Sequence, residues 1–173
     1  NHHLLLLASD LTGYHNLIKL VSAAHLDGMY YRPRVDHELL EQYNAGLIAT
    51  SGCMSSEIST AILGGDLQKA ESLIEWHASI FDGRFYLEVQ RNSIDEQETI
   101  NRARFDFSAR MNLPLVATND CHYLRPEDAK PHDILLCVGT NKTIHETKRK
   151  KYQSEAFYLR STEEMYDLFW DHP

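Results

Sequence analysis

No apolar run in this chain is long. The longest, residues 4–8, is a fraction of the roughly 20 residues that cross a bilayer. No basic stretch precedes it and no small-residue cleavage site follows it, so this run is not expected to be a signal peptide. Cysteine is scarce. Cys53, Cys121 and Cys137 are odd in number and never at CxxC spacing, which fits a reducing, cytoplasmic compartment better than a disulfide framework. A basic excess is missing too: 17 Lys and Arg stand against 25 Asp and Glu, a net charge of −8. That balance argues against a free-standing DNA-binding module. There is no GxxxxGK phosphate loop, no GxSxG, no run of polymerase-type carboxylates, no internal repeat and no low-complexity tract. The first residue is Asn1 rather than Met, so the expectation is a processed chain or a piece of a longer one.

What is present is ordinary for one globular domain: 173 residues, 43% hydrophobic and 24% charged. The ten histidines stand out and raise the question of metal chemistry.

The periodicity predicts a buried strand over residues 4–8. A helix then carries Tyr14, Leu17, Ile18 and Val21 on one face. Residues 28–36 read as a loop, with Asp36 capping a short helix through Tyr43. A second strand over 46–50 ends in Ser51-Gly52-Cys53. Two helical stretches broken at Gly64-Gly65 follow, the second with Ala70, Leu73, Ile74, Ile80 and Phe81 on one face. A third strand spans 85–90. Ile100, Ala103, Phe107 and Met111 mark the next helix, with Asp95, Glu96 and Glu98 in its first turn. A fourth strand spans 113–118. A helix opens at residues 125–128, a polar linker fills roughly 139–155, and a short strand at 157–159 precedes a helix with a capping box at Ser161 and Glu164. Apolar strands alternating with helices predict a parallel α/β sheet. Four such units are about half of an eight-strand barrel, so the fold expected is a partial barrel.

Asp120 and His122 are the sharpest pair, just past a strand end. If the chain is extended there, the two side chains point the same way and can meet on one ion. The alternative is an Asp capping a turn and a His packed in a loop. Cys53 likewise follows a strand and can ligate zinc as a thiolate. Read alone, a small buried hydrophobe is the commoner role of such a residue. Cys121 faces the other way and reads as packing. Adjacent His2 and His3 point to opposite faces, so at most one joins a given site. His132 reads as structural. Glu88 shares a strand face with Tyr86 and Gln90. It can back a metal site from behind its ligands or form an ion pair, and the ion pair is the better reading. Lys148, Arg149, Lys150 and Lys151 form the one basic run, suited to a phosphate backbone or to a solvated linker.

Seven strings in series resemble one family: residues 3–8 (HLLLLA), 12–20 (TGYHNLIKL), 30–36 (YYRPRVD), 46–53 (GLIATSGC), 114–123 (PLVATNDCHY), 132–137 (HDILLC) and 157–165 (FYLRSTEEM). Their order and spacing resemble the PHP (polymerase and histidinol phosphatase) domain of bacterial DNA polymerase III alpha subunits. The resemblance implies a distorted seven-stranded (β/α)7 barrel with zinc or manganese at its mouth, and ligand positions at His3, Cys53, Asp120 and His122. It implies residues 1–140 as the C-terminal part of that domain. Residues 141–173 would be the linker and a strand-helix leading toward the polymerase palm. The parent would be a magnesium-dependent DNA-directed DNA polymerase acting on primer-template and deoxynucleotides with other replicase subunits. Its PHP domain would be either a 3′→5′ exonuclease or a scaffold; a stand-alone phosphoesterase is the rival. The family's opening HxH pair, its further Asp, His and Glu ligands and the palm carboxylates are not in these 173 residues. An internal fragment, inactive alone, is therefore expected.

Overall fold

The computed structural model describes residues 2–172; Asn1 and Pro173, the outer bounds of the two expected segments, lie outside them. The element order is β1 (Leu5–Ala8), α1 (Leu11–Leu26), α2 (His37–Tyr43), β2 (Leu47–Thr50), α3 (Glu57–Leu63), α4 (Leu67–Phe81), β3 (Phe85–Gln90), α5 (Asp95–Met111), β4 (Leu115–Thr118), a 3-10 turn (Pro126–Asp128), α6 (Ala129–Gly139) and α7 (Thr162–Leu168). Among the described residues no helix is long and apolar enough to cross a membrane.

Side-chain caps set most helix starts. Asp10, Asp36, Ser56, Asp66 and Ser161 each accept a backbone N–H of the first turn they precede, which satisfies a donor the helix itself cannot. Asp36 and the Ser161–Glu164 box are where the sequence places them. Gly64 ends α3 and Gly65, at φ +76°, turns the chain into α4.

The four strands form one sheet in the order β1-β2-β3-β4. β2, β3 and β4 are parallel, as expected, whereas β1 runs antiparallel to β2, with Leu5 opposite Thr50 and Ala8 opposite Leu47. β1 is also not buried: Leu5 and Leu7 are 44% and 50% exposed. Helices α3, α4 and α5 cover one sheet face, burying Ile58, Ile62, Ile74, Phe81, Ile100 and Phe107 against Leu47, Ala49, Phe85 and Leu87. The alternating apolar residues of β3 supply that face, and Glu88 and Gln90 point to the other.

Two further expectations change. The fourth strand begins at Leu115, two residues late, and the expected strand at 157–159 is a single parallel bridge between Tyr158 and Tyr123. On α1 the buried stripe is Gly13, Asn16, Leu20 and Ala24, while Tyr14, Ile18 and Val21 face out. The small stripe wins because it lets the helix backbone approach the Ala45–Gly46 turn, where Asn16 donates to the Ala45 carbonyl at 2.9 Å.

The end of α7 is held by Arg91. Its guanidinium donates to the Leu168 carbonyl at 2.7 Å, grips both oxygens of Asp171 at 2.6 and 2.9 Å, and lies over the Phe169 ring. Those hydrogen bonds hold the Asp171 carboxyl down at about 2. A carboxyl depressed on folding stabilises above its ordinary value, 3.8 here, and that contribution is lost as pH falls toward 2. Hydrogen-exchange protection of the amides at 165–172 is therefore expected to fall between pH 4 and pH 2. Arg91→Met should reproduce the loss at pH 5. Protection in that variant equal to wild type at pH 5 would show that the tie is idle.

Candidate metal centre

The antiparallel pairing of β1 creates the first donor pair. With Leu5 opposite Thr50, the chain before β1 runs alongside the chain after β2, and the His3 N–H donates to the Ser55 carbonyl at 3.1 Å. The His3 Nδ1 consequently lies 3.6 Å from the Cys53 Sγ. A parallel β1 would have placed His3 at the opposite end of the strands from Cys53. Gly52, at φ +68°, makes the turn that presents Cys53, and a Cβ there would sit 3.1 Å from the His3 carbonyl oxygen.

The second pair lies past β4. The His122 Nε2 stands 3.5 Å from an Asp120 carboxylate oxygen. The chain is not extended here. Asp120 adopts the left-handed conformation at φ +51°, so a turn rather than a strand alternation brings the pair together. The Tyr152 hydroxyl reaches the His122 ring at 3.1 Å. Burial and the Asp120 charge push that phenol above its ordinary value.

Glu88 connects the two sides. Its carboxylate accepts from Thr50 on β2 at 2.5 Å, from Thr118 on β4 at 2.6 Å and from Gln90 at 2.8 Å. It is 4% exposed and forms no ion pair among the described residues, which corrects the expectation. Three neutral donors satisfy it, so it fastens the carboxyl ends of three parallel strands just below both donor pairs.

The residue that sequence reasoning missed is Arg104. It sits on α5, 2% exposed, on the stripe of Ile100 and Phe107. Its guanidinium donates to the carbonyls of Ser51 at 3.1 Å, Gly52 at 2.9 Å and Glu88, and to the Ser59 hydroxyl at 2.8 Å. Burial lowers it to about 10, against the opposing pull of the nearby Glu88 charge. It fixes the backbone that carries Cys53. Asn92 does the same on the other side, donating to the carbonyls of Asn119 at 2.9 Å and Ala156 at 3.0 Å. The legible signal for both was a polar residue at a core-facing or strand-end position.

The remaining candidates separate. His2 turns away to Thr60 at 3.5 Å. Cys121 is exposed rather than packed. His132 stacks near Tyr123 and Tyr152. In the basic run, Arg149 forms a two-pronged pair with Asp133 at 2.5 and 2.7 Å, and its side chain is 7% exposed. Lys148, Lys150 and Lys151 are exposed.

The donors fit a metal in kind and in spacing. Imidazole, thiolate and carboxylate are zinc ligands, and tetrahedral bond lengths imply ligand–ligand separations of roughly 3.4–3.6 Å. Each pair matches that spacing. The pairs are not joined: they lie two strands apart, on the order of 10 Å. Among the described residues no group of three His, Cys, Asp or Glu side chains gathers at one point.

A family model described as "PHP domain" matches residues 1–92. The chain belongs to the PHP domain family. Beyond that match, the whole PHP chain is 42% identical over 173 residues to the DNA polymerase III subunit alpha of Borreliella burgdorferi, covering 100% of this chain and 15% of that protein. The same-named protein of Thermus aquaticus is 42% identical over 163 residues, 94% of this chain and 13% of its own length. That of Treponema pallidum is 40% identical over 173 residues, 99% of this chain and 15% of its own. The chain thus spans about 15% of the length of the relatives it matches.

Proposed function

We propose that this chain is the PHP-domain portion of a DNA polymerase III alpha subunit, a DNA-directed DNA polymerase of the bacterial cytoplasm. The observation that carries the reading is 42% identity along the entire chain to proteins of that name. Residues 1–140 are the C-terminal part of the PHP domain and 141–173 the way out toward the palm. In the parent, primer-template DNA and deoxynucleotides are the substrates, magnesium serves the palm, and other replicase subunits are partners. The sheet is an arc of a distorted (β/α)7 barrel. Exposed Leu5 and Leu7 on β1, and Tyr14, Ile18 and Val21 on α1, support this, because a completed barrel would cover them.

Within the parent, His3, Cys53, Asp120 and His122 hold zinc or manganese together with ligands supplied from outside this chain. When bound, the metal supplies electrophilic activation of a phosphodiester and a hydroxide nucleophile at neutral pH, the chemistry of a 3′→5′ exonuclease. Asp120 and His122 act as ligands and not as free acid or base. Glu88 sets the spacing of the strand ends beneath them, and Arg104 fixes the Cys53 loop. Lys148, Lys150 and Lys151 are available to a phosphate backbone; Arg149 is committed to Asp133.

A scaffold role is the second reading, favoured by the two-strand separation between the His3–Cys53 pair and the Asp120–His122 pair. A stand-alone phosphoesterase has less support, since the match continues past the family segment through α7. Full-length polymerase carrying Asp120→Asn separates the first two. The expected result is copurified metal lost and primer-end exonuclease activity lower by about 10–100-fold, with primer extension unchanged. A metal-free wild type whose exonuclease activity the substitution leaves intact would leave the scaffold.

A further inference from the structure

We infer that Tyr152 is a positioning residue for His122, delivered by a strap formed from residues 140–155. The inference rests on the reading of Asp120 and His122 as metal ligands.

The basic run supplies the strap's anchor. Arg149 is turned inward onto Asp133 of α6 by two hydrogen bonds, and the Lys142 N–H donates to the Cys137 carbonyl at 2.9 Å. Between these ties and the Tyr123–Tyr158 bridge the chain has little freedom, and Tyr152 lies on that span. Its phenol oxygen is 3.1 Å from Nδ1 of His122 and 3.3 Å from Nε2, with ring centroids 4.6 Å apart. Phe157 closes the other side: its ring is 4.8 Å from Tyr152 and 5.5 Å from His122, both edge-on. The Phe157 carbonyl accepts the His122 backbone N–H at 2.8 Å.

A ligating imidazole needs one nitrogen free for the ion and the other committed, because the committed nitrogen fixes both tautomer and ring orientation. The His122 Nε2 is the nitrogen beside Asp120. The phenol oxygen bears on both ring nitrogens at nearly equal distance, and with Nε2 turned to an ion, Nδ1, the nearer of the two, is the nitrogen left to it. A phenol both donates and accepts, so Tyr152 holds the ring in either tautomer. The rest of the pocket is aromatic or imidazole, with His132 at 6.0 Å between centroids, and no other hydroxyl contacts the His122 ring among the described residues. The linker therefore orients a metal ligand, while Lys148, Lys150 and Lys151 of the basic run face solvent.

The test uses full-length polymerase, stripped of metal and titrated with zinc against a chromophoric chelator. Tyr152→Phe keeps the ring and removes the hydroxyl. Zinc affinity is expected to fall about tenfold or more, with the melting temperature of the stripped protein unchanged. Arg149→Met, which frees the strap, should weaken zinc in the same direction. Wild-type affinity in Tyr152→Phe, beside a large loss in His122→Ala, overturns the positioning role and leaves the ligand reading standing. A fall in affinity matched by a lower melting temperature of stripped Tyr152→Phe also overturns it, since the hydroxyl would then be structural. If His122→Ala binds zinc as wild type does, the ligand reading fails and the inference fails with it.

Discussion

Replacing Arg104 with leucine is expected to destabilise the chain by about 3–5 kcal/mol, the largest single-residue effect at the candidate centre. The guanidinium serves three backbone carbonyls and the Ser59 hydroxyl, all in the buried interior between α5, α3 and the strand ends. Each orphaned buried acceptor costs about 1–3 kcal/mol. Relief from burying a charge offsets part of that sum, which is why the expectation lies below the simple total. Arg104→Lys keeps the charge but not the planar fork, and a single ammonium cannot reach Glu88, Ser51 and Gly52 together, so it should fall between wild type and leucine. Urea denaturation of the three proteins, followed by far-UV circular dichroism, gives the ranking. A leucine variant within about 1 kcal/mol of wild type would mean that the loop carbonyls find other partners. The loss should also reach function. Ser51 and Gly52 precede Cys53 directly, so Arg104 shares in setting the spacing of Cys53 from His3 with the Ser59 hydroxyl on the Cys53 carbonyl and the His3 N–H on Ser55.

Arg104 also shows where sequence reading stops. The stripe of α5 was legible from Ile100, Ala103, Phe107 and Met111, and Arg104 falls inside it. A period argument counts apolar residues only, so a charged residue that completes a core stripe is passed over. On α1 the same method chose the wrong face. Tyr14, Ile18 and Val21 are bulky apolar residues, but the helix buries Gly13, Asn16, Leu20 and Ala24, because the close approach of Gly13 to Gly46 admits no side chain there and so fixes which face turns inward. Caps were read correctly, since Asp36 and Ser161 act within their own first turns. The order of strands and helices was legible for the same local reason. The parallel run of β2, β3 and β4 was legible too, but the direction of β1 was not: no feature of residues 4–8 encodes whether they run with or against β2. Asp120, His122 and Cys53 stood out as metal-competent residues just past strand ends; their union with His3 in one ligand set came from motif resemblance. Their pairing depends on non-local facts, the antiparallel register of β1 and the left-handed turn at Asp120.

The second large effect is expected from the smallest change, Gly13→Ala. In an ordinary helix interior alanine stabilises by up to about 1 kcal/mol over glycine. Here a Cβ would sit 1.8 Å from the Gly46 carbonyl oxygen. That oxygen already accepts from the Ser9 N–H at 2.9 Å and the Ser9 hydroxyl at 2.8 Å. Neither side of the clash is a rotatable side chain, and Gly46, at φ +70°, is itself confined by the Asp10 carboxylate. Relief requires α1 to move bodily off the turn, which surrenders the Asp10 cap on the Gly13 N–H and the Asn16 bond to Ala45. A loss of about 3–4 kcal/mol is expected, at the upper end of overpacking effects. Gly139→Ala is the control: nothing lies within 4 Å of its Cβ position, so a gain of a few tenths to about 1 kcal/mol is expected. Opposite signs in the two urea midpoints confirm that backbone proximity governs Gly13; equal or improved stability in Gly13→Ala refutes it. The position matters to the centre because Gly46 leads straight into β2. Displacing α1 disturbs the first pairing of β2 with β1, Leu47 opposite Ala8, and the same register places His3 beside Cys53 at the far end.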